Sequence, residues 1–345
     1  MFVYWAQTGW RDQGAKRSVS SIDLTAVPSD LVPELRALRA RLSSDIPAKR
    51  LDHNLIVATW NIRAFGDLCE SWIPSPNDSP KRNLFALRCI AEIVSRFDVI
   101  AIQETRDNIK ALRHMLKYFG PDWGLIMTDV TAGDAGNYER MAFVFDTRRV
   151  KTSGLAGELV VPPEWLQEEH ISPDSLRRQF ARTPYAVSFS SGGETFILVT
   201  LHVLYGDSAA DRLGELHGIA RWLEDWAKRE QSWGHNLIAL GDFNIDRKDD
   251  DAFQAFTSTG LRSPAELDSV PRTIFKSGKN AFYDQIAWFT RDGNPDVPVL
   301  SLRYSQRAGG FDFRGLVLPT LSDTELSWRI SDHFPLWTEF LLGAD

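Results

Sequence analysis

The chain has 345 residues, 43% hydrophobic and 25% charged, with a formal net charge of −7, a balance that suits a globular protein with a sizeable core and argues against gripping nucleic acid by bulk positive charge alone. Its two cysteines, Cys69 and Cys89, lie outside any CxxC pattern, which argues against a disulfide framework or a thiolate zinc site and points to a reducing, cytoplasmic setting. No run approaches roughly 18 uninterrupted apolar residues, so no membrane span is expected, and the opening "MFVYWAQTGWRDQG" lacks the basic and apolar regions of a secretory signal.

In chain order, residues 1–52 read as an N-terminal extension. Within "SDLVPELRALRARLSS", Leu31, Leu35, Leu38 and Leu42 recur near one helical face with arginines opposite. That spacing predicts a short amphipathic helix, packed on the main domain or offered to a partner. Residues 53–345 read as one catalytic domain. The runs "NLIVATWNI", "DVIAIQE", "MAFVFD", "TFILVTLHV", "NLIALGDFN", "DQIAWF" and "FPLWTEFLL" have the length and branched, apolar composition of buried strands. Helical patterns fall between them in "NLFALRCIAEIVSRF" and in "DRLGELHGIARWLEDWAKREQ", where Leu213, Leu216, Ala220 and Leu223 share a face. His217 in the second of these reads as an ordinary surface or packing residue. Residues 153–180 break the rhythm with prolines and mixed charge and read as an irregular insertion. Strands and helices mixed through one domain predict two sheets covered by helices, with the topology left open.

Polar residues recur where the apolar runs stop: Asn61, Gln103 and Glu104, His202, Asp242 and Asn244, Asp284, and the pair Asp332-His333. Any one of them could be a turn residue or a helix cap. As a group, placed at the ends of buried strands, they suggest a site on one sheet edge. Asn61, Glu104, Asp242 and Asp332 offer hard oxygen ligands of the kind Mg²⁺ takes, with Mn²⁺ or Ca²⁺ as substitutes. Two histidines near carboxylates can activate water and protonate a leaving oxygen. The set is that of a metal-assisted phosphoesterase, with no serine or cysteine nucleophile in it.

The motifs "ATWNIRAFG", "VSRFDVIAIQETRD", "NYERMAFVF", "ARTPYAVSF", "LVTLHV", "LIALGDFN", "FYDQIAW", "GGFDFRG" and "ISDHFPL" occur here in one order. By them the chain, from residue 54 to about 342, resembles the deoxyribonuclease I branch of the endonuclease/exonuclease/phosphatase superfamily. The resemblance implies an α/β (α+β) fold, a four-layer α/β/β/α sandwich of two mixed sheets flanked by helices. It implies Glu104 as the principal metal ligand, with Asn61 and Asp332 completing the shell, and Asp242 and Asn244 near a second metal region and the scissile phosphate. His202 would be held by Glu139 and His333 by Asp284, one pair serving as base and the other as acid in either order, to leave 5′-phosphate ends. Arg63, Arg106 and Arg182 match arginines that touch DNA, and Tyr283 matches a phosphate contact.

Departures from the branch are equally specific. Two positions before Glu139, where the branch carries a DNA-stacking tyrosine, stands Asn137, and the tyrosine is Tyr138. One step along a strand turns a side chain to the opposite face. The disulfide-closed calcium loop of secreted relatives has no counterpart, and the insertion stands in its place. Two substrate classes therefore stay open, a nucleic acid (DNA foremost) and a small or lipid phosphodiester. No protein partner is indicated.

Overall fold

Alternating apolar residues along the strands sort the chain into layers. The computed structural model describes residues 22–131, 137–159, 180–206, 209–228, 236–275, 281–290 and 299–343. In chain order the elements are α1 (Val32–Asp45), β1 (Asn54–Phe65), α2 (Leu84–Val94), β2 (Val99–Arg106), α3 (Lys110–Phe119), β3 (Trp123–Met127), β4 (Glu139–Asp146), β5 (Lys151–Glu158) and β6 (Tyr185–Ser191). They continue with β7 (Glu194–His202), α4 (Ala209–Ala227), β8 (Leu237–Ile245), α5 (Asp251–Thr257), β9 (Leu261–Arg262), β10 (Phe282–Phe289), β11 (Arg303–Gly310), α6 (Asp323–Arg329) and β12 (Leu336–Leu341). One six-stranded sheet has the order β11-β12-β1-β2-β4-β3 and the other the order β5-β6-β7-β8-β10-β9. Each is mixed, with β1 parallel to β2 and β7 parallel to β8.

Three clusters fill the space between layers. Leu55, Val57, Val99, Ala101, Phe143 and Phe145 of the first sheet meet Phe196, Leu198, Ile238, Leu240, Ile286 and Trp288 of the second. The opposite face of the first sheet, with Ile56, Ala58, Trp60 and Ile100, is covered by α1, α2 and α3. The outer face of the second, with Ile197, Val199 and Ala239, is covered by Leu216, Ile219 and Leu223 of α4 and Phe256 of α5. This is the four-layer sandwich the resemblance implied. Helix α1 occupies the stretch read as amphipathic, and its Leu35, Leu38 and Leu42 are buried. Residues 1–21 lie outside the described residues. Cys69 and Cys89 are both free thiols. Among the described residues no helix is long and apolar enough to cross a membrane.

The structure corrects the sequence reading at the sheet edges. Part of the stretch read as an irregular insertion is strand β5, paired antiparallel with β6. Its sequence, KTSGLAGE, carries no apolar alternation because it is an exposed edge. Residues 160–179 of that insertion lie outside the described residues. Edge strand β11, RYSQRAGG, escaped notice for the same reason.

Gly241 of β8 illustrates how tightly the second sheet is drawn at the end that matters. It pairs with Leu201 of β7, one step before His202 pairs with Asp242. Its φ is +142°, and a Cβ there would fall 2.0 Å from the Leu201 carbonyl oxygen. Gly241→Ala should therefore destabilise the fold by more than about 2 kcal/mol, read from urea unfolding.

An ionic tie anchors the segment that follows α1. Asp146, buried at the end of β4, accepts from Lys49 Nζ at 3.0 Å and from Arg148 Nε and Nη2 at 2.8 and 2.7 Å. Burial opposes its charge, but the Arg148 and Lys49 contacts bring it down to about 2. A depressed carboxylate contributes stability above its unfolded pKa of 3.8 and loses it as pH falls through about 2. Asp146→Asn should cost about 2 kcal/mol at pH 7, and that gap should shrink to about half by pH 3 in denaturant titrations.

Candidate active site

The site is a continuation of the stripe that joins the two sheets. On β1, Leu55 and Val57 face the other sheet, so the two-residue period carries Thr59 and Asn61 to the same side. On β7 the series runs Phe196, Leu198, Thr200, His202, and on β8 it runs Ile238, Leu240, Asp242, Asn244. Strands β4 and β10 enter from this end, so Glu139 precedes Met141 and Phe143, and Asp284 precedes Ile286 and Trp288. The stripe changes from apolar to polar at one depth. Gln103 marks the change, its Nε2 donating to Thr200 Oγ1 at 2.9 Å and Thr59 Oγ1 at 3.1 Å.

Above that floor stand two histidine–carboxylate pairs. His333 Nδ1 lies 2.7 Å from Asp284 Oδ2, and His202 Nδ1 lies 3.1 Å from Glu139 Oε2. Both imidazoles present Nε2 to the same atom, Asp242 Oδ2, each at 3.8 Å. Asn61 Nδ2 donates to that same oxygen at 2.9 Å, tying the first sheet to the second. Asn244, whose backbone N–H caps Asp242 Oδ1 at 2.9 Å, is in the left-handed region with φ +51°. Tyr283 packs against His333 with ring centroids 5.8 Å apart. Burial, with the Asp246 carboxylate next, pushes its phenol up to about 12, so it remains a donor.

The charges are held by pairing. Burial works against Glu139, yet His202, Arg182 and Arg106 bring it down to about 2. Burial also opposes Asp242, which the two imidazoles and the Asn61 amide nevertheless keep below its ordinary value. The His333–Asp284 pair is pulled two ways. Burial pushes Asp284 up to about 6 and works against a charged His333, but the carboxylates of Asp284 and Asp242 raise His333 well above its ordinary value. The 2.7 Å contact and the second carboxylate at 3.8 Å favour the proton on the imidazole.

Glu104 sits off the stripe, and the backbone corrects for it. Register shifts interrupt β1 between Asn61 and Phe65 and β2 between Ile102 and Thr105. Glu104 and Ala64 both adopt positive φ, +58° and +45°, and Glu104 Oε2 accepts the Ala64 N–H at 2.9 Å. A non-glycine residue there costs about 1–2 kcal/mol, and such outliers gather where a side chain must be aimed. Oxygen donors without partners also gather here. Among the described residues, Asn61 Oδ1, Asp284 Oδ1 and Asp332 Oδ1 are buried with no hydrogen-bond partner. Ligand atoms of Asp242, Asp284 and His333 lie within 4.8 Å of one another. Unsatisfied hard oxygens of this kind fit a divalent cation.

The three arginines expected at the substrate are all at this end. Arg106 lies 3.4 Å from Glu139 Oε1 and 3.8 Å from Glu104 Oε2. Arg63 Nη1 donates to Ser327 Oγ at 2.8 Å and stands 3.5 Å from Asp332 Oδ2. Arg182 is only 9% exposed and contacts Glu139 Oε2 through Nε at 2.6 Å, a position that supports the carboxylate. The shift at Asn137-Tyr138 is visible as well. Asn137 donates to Glu139 Oε1 at 2.7 Å, and both Asn137 and Tyr138 are exposed.

Several residues that hold the site in place carry no motif of their own. Ser331 is buried and its hydroxyl donates to the Asn61 carbonyl at 2.6 Å while accepting the N–H groups of Arg63 and His333, each at 3.1 Å. Arg82, buried and brought down to about 10 by that burial, donates to the carbonyls of Arg63, Ala64, Arg329 and Ile330. Glu215 of α4 accepts the N–H groups of Leu204 at 2.9 Å and Ala181 at 3.3 Å, fixing the segments beside His202 and Arg182. Arg272 binds the Asp284 carbonyl at 3.3 Å. Of these, Ser331 lay inside a quoted motif and Glu215 inside a stretch read only as a helix. An arginine or glutamate in a loop or helix gives no sign that it is buried.

Known proteins resemble this chain in sequence and in fold. The family model described as the Endonuclease/Exonuclease/phosphatase family matches residues 58–333. A deoxyribonuclease of Thioalkalivibrio sp. (strain K90mix) is 28% identical over 197 residues, 56% of this chain and 46% of that protein, so the chain spans about half the length of this relative. Deoxyribonuclease-1 of Bos taurus is 27% identical over 304 residues, 83% of this chain and 92% of the bovine protein. Among solved structures, a conserved Enterococcus faecalis protein of unknown function has a TM-score of 0.55 at 17% identity, covering 84% of this chain and 100% of that one. A Bacteroides thetaiotaomicron mannosyl-6-phosphatase gives 0.53 at 16% identity, over 83% of this chain and 99% of that one. The solved structures establish the fold, and the match across 58–333 establishes the family: this chain belongs to the endonuclease/exonuclease/phosphatase family.

Proposed function

We propose that the chain is a divalent-metal-dependent phosphodiesterase that hydrolyses DNA internally and leaves 5′-phosphate ends. The observation that carries this reading is the pair of imidazoles, each backed by a carboxylate, whose Nε2 atoms stand 3.8 Å from one oxygen of Asp242. Two proton-transfer groups facing one point from two sides suit an in-line displacement at phosphorus. One takes the proton of the attacking water and the other gives a proton to the departing 3′ oxygen. Asp284 fixes the His333 tautomer by its hydrogen bond to Nδ1, and Glu139, 3.1 Å from His202 Nδ1, stabilises the charged form of that ring. Asn61, Glu104, Asp242 and Asp332 would hold the cation, Mg²⁺ foremost. When bound it supplies charge stabilisation at the phosphoryl oxygens, worth several kcal/mol. Tyr283 and Asn244 contribute donors beside the phosphate, and Arg63 and Arg106 offer guanidinium groups to it.

The two deoxyribonucleases among the relatives support DNA as the substrate. A second reading, a small or lipid phosphodiester, is favoured by the net charge of −7, and one protein of this fold is a mannosyl-6-phosphatase. Plasmid nicking run beside hydrolysis of bis(p-nitrophenyl) phosphate separates the two. Intact plasmid with steady turnover of the small diester would sink the DNA reading.

His202→Ala and His333→Ala should each lower kcat by about 10²–10⁴-fold. A variant near the wild-type rate would remove that residue from the reaction. EDTA should abolish cleavage and Mg²⁺ restore it, and Glu104→Gln should weaken Mg²⁺ binding at least about tenfold by calorimetric titration.

A further inference from the structure

The large exposed aromatic residues among the described part of the chain are Tyr138, Tyr205, Phe275 and Trp328, and each is tied to the candidate site by a direct contact or by a neighbour in sequence. Trp328 is 45% exposed, and one face of its indole is covered by the Arg63 guanidinium, whose Cζ lies 3.7 Å from the ring centroid. That guanidinium is in turn fixed by Ser327 Oγ and stands 3.5 Å from Asp332 Oδ2. The indole is carried on α6, which begins with a reciprocal Ser322–Glu325 capping box, and its neighbours Ser327 and Arg329 are buried. Tyr205, 57% exposed, has the same backing: the Arg212 guanidinium lies 4.6 Å from its ring centroid, and Arg212 Nη1 donates to the Asn244 carbonyl at 2.6 Å. Tyr138 directly precedes Glu139. Phe275 follows Ile274, whose N–H donates to the Asp332 carbonyl at 2.9 Å.

Single exposed aromatics are common and need no explanation. All four lie on segments that touch the site, and two have a guanidinium group at cation–π distance, Arg63 against Trp328 and Arg212 against Tyr205, while the rings remain 45% and 57% exposed. An aromatic face set beside a phosphate-handling centre suits a nucleobase. Bases within a duplex already stack on one another, whereas unpaired bases offer their faces. Electrostatics point the same way. A chain of net charge −7 gains little from a long run of duplex phosphates, whereas stacking adds about 1–3 kcal/mol per base without regard to sequence.

We propose that the rim of the site is a base-stacking surface anchored by Trp328 and Tyr205, and that the preferred substrate is single-stranded DNA. This rests on the reading of the chain as a DNA phosphodiesterase. Arg63 then has two tasks, to carry the indole and to meet the phosphate beside the base stacked on it.

The test uses the full chain with Mg²⁺ on one labelled oligonucleotide, single-stranded and annealed to its complement, beside bis(p-nitrophenyl) phosphate. The single strand should be cut with kcat/KM at least about tenfold above the duplex. Trp328→Ala should raise KM for the single strand about 5- to 100-fold and lower its kcat/KM relative to that for the small diester, and Trp328→Phe should restore most of the loss. Tyr205→Ala, on a different element, should shift KM in the same direction and covers the case in which Trp328→Ala fails to fold. Equal or better cleavage of the duplex overturns the stacking proposal and leaves the DNA reading standing. So does a loss confined to kcat in variants that fold. Turnover of the small diester with neither DNA cut overturns both.

Discussion

The site depends on the register between the two sheets. The inner stripe of each strand keeps a two-residue period, and that period does not stop where the hydrophobic core stops. Asn61, Glu139, His202, Asp242 and Asp284 lie on the same faces as Leu55, Phe143, Leu198, Leu240 and Ile286, so the packing that aligns the core residues also aligns the polar ones. The 2.9 Å contact from Asn61 to Asp242 crosses between the sheets and can exist only if both are in register. Within the second sheet, Gly241 shows how closely β7 and β8 are drawn together beside His202 and Asp242, because the backbone of Leu201 occupies the place of a side chain. Precision at the chemical centre is thus inherited from the apolar core beneath it.

Burying so many ionisable groups at one depth would be unfavourable unless each met an opposite charge or a donor. Glu139 has His202, Arg182 and Arg106, and Asp242 has two imidazoles and the Asn61 amide. The left-handed conformation of Glu104 belongs to the same economy of space, since it turns a carboxylate where the regular pleat would not aim it. Among the described residues, Asn61, Asp284 and Asp332 each keep a buried amide or carboxylate oxygen with no hydrogen-bond partner. A cation is a chemical partner that these oxygens suit.

The strands that build this centre were legible in the sequence because they are buried on both faces and read as continuous apolar runs. Their polar ends stood out against those runs, which is why Asn61, Glu104, His202, Asp242, Asp284 and His333 could be named before the structure was seen. Edge strands β5 and β11 could not be read, since an exposed edge has no reason to alternate. Arg82, Arg272 and Glu215 were equally illegible. They act through backbone carbonyls and N–H groups of distant segments, and such partners leave no pattern in the residues near them. Asn137 was legible only as a departure, and the structure gives it a partner, the Glu139 carboxylate.

The acidic balance of the chain looks at odds with a negatively charged substrate until the charges are placed. Arg182, Arg82 and Arg272 are buried, and they face Glu139, the carbonyls around Glu104, and the carbonyl of Asp284 respectively. These cations therefore offset the carboxylates buried in the wall of the site, where low dielectric makes each unit of charge count for more than on the surface. The acidic residues that set the total are largely on the solvated exterior, where salt screens them beyond roughly 8 Å. A phosphodiester in the site lies beside Arg63 and Arg106, while the exterior charges act on it only through screening solvent. Attraction of this kind is short-ranged, so it favours a substrate held by a few local contacts over one held along many phosphates. A short, deformable strand needs fewer such contacts than a rigid duplex, which is the direction in which the proposed stacking surface also points.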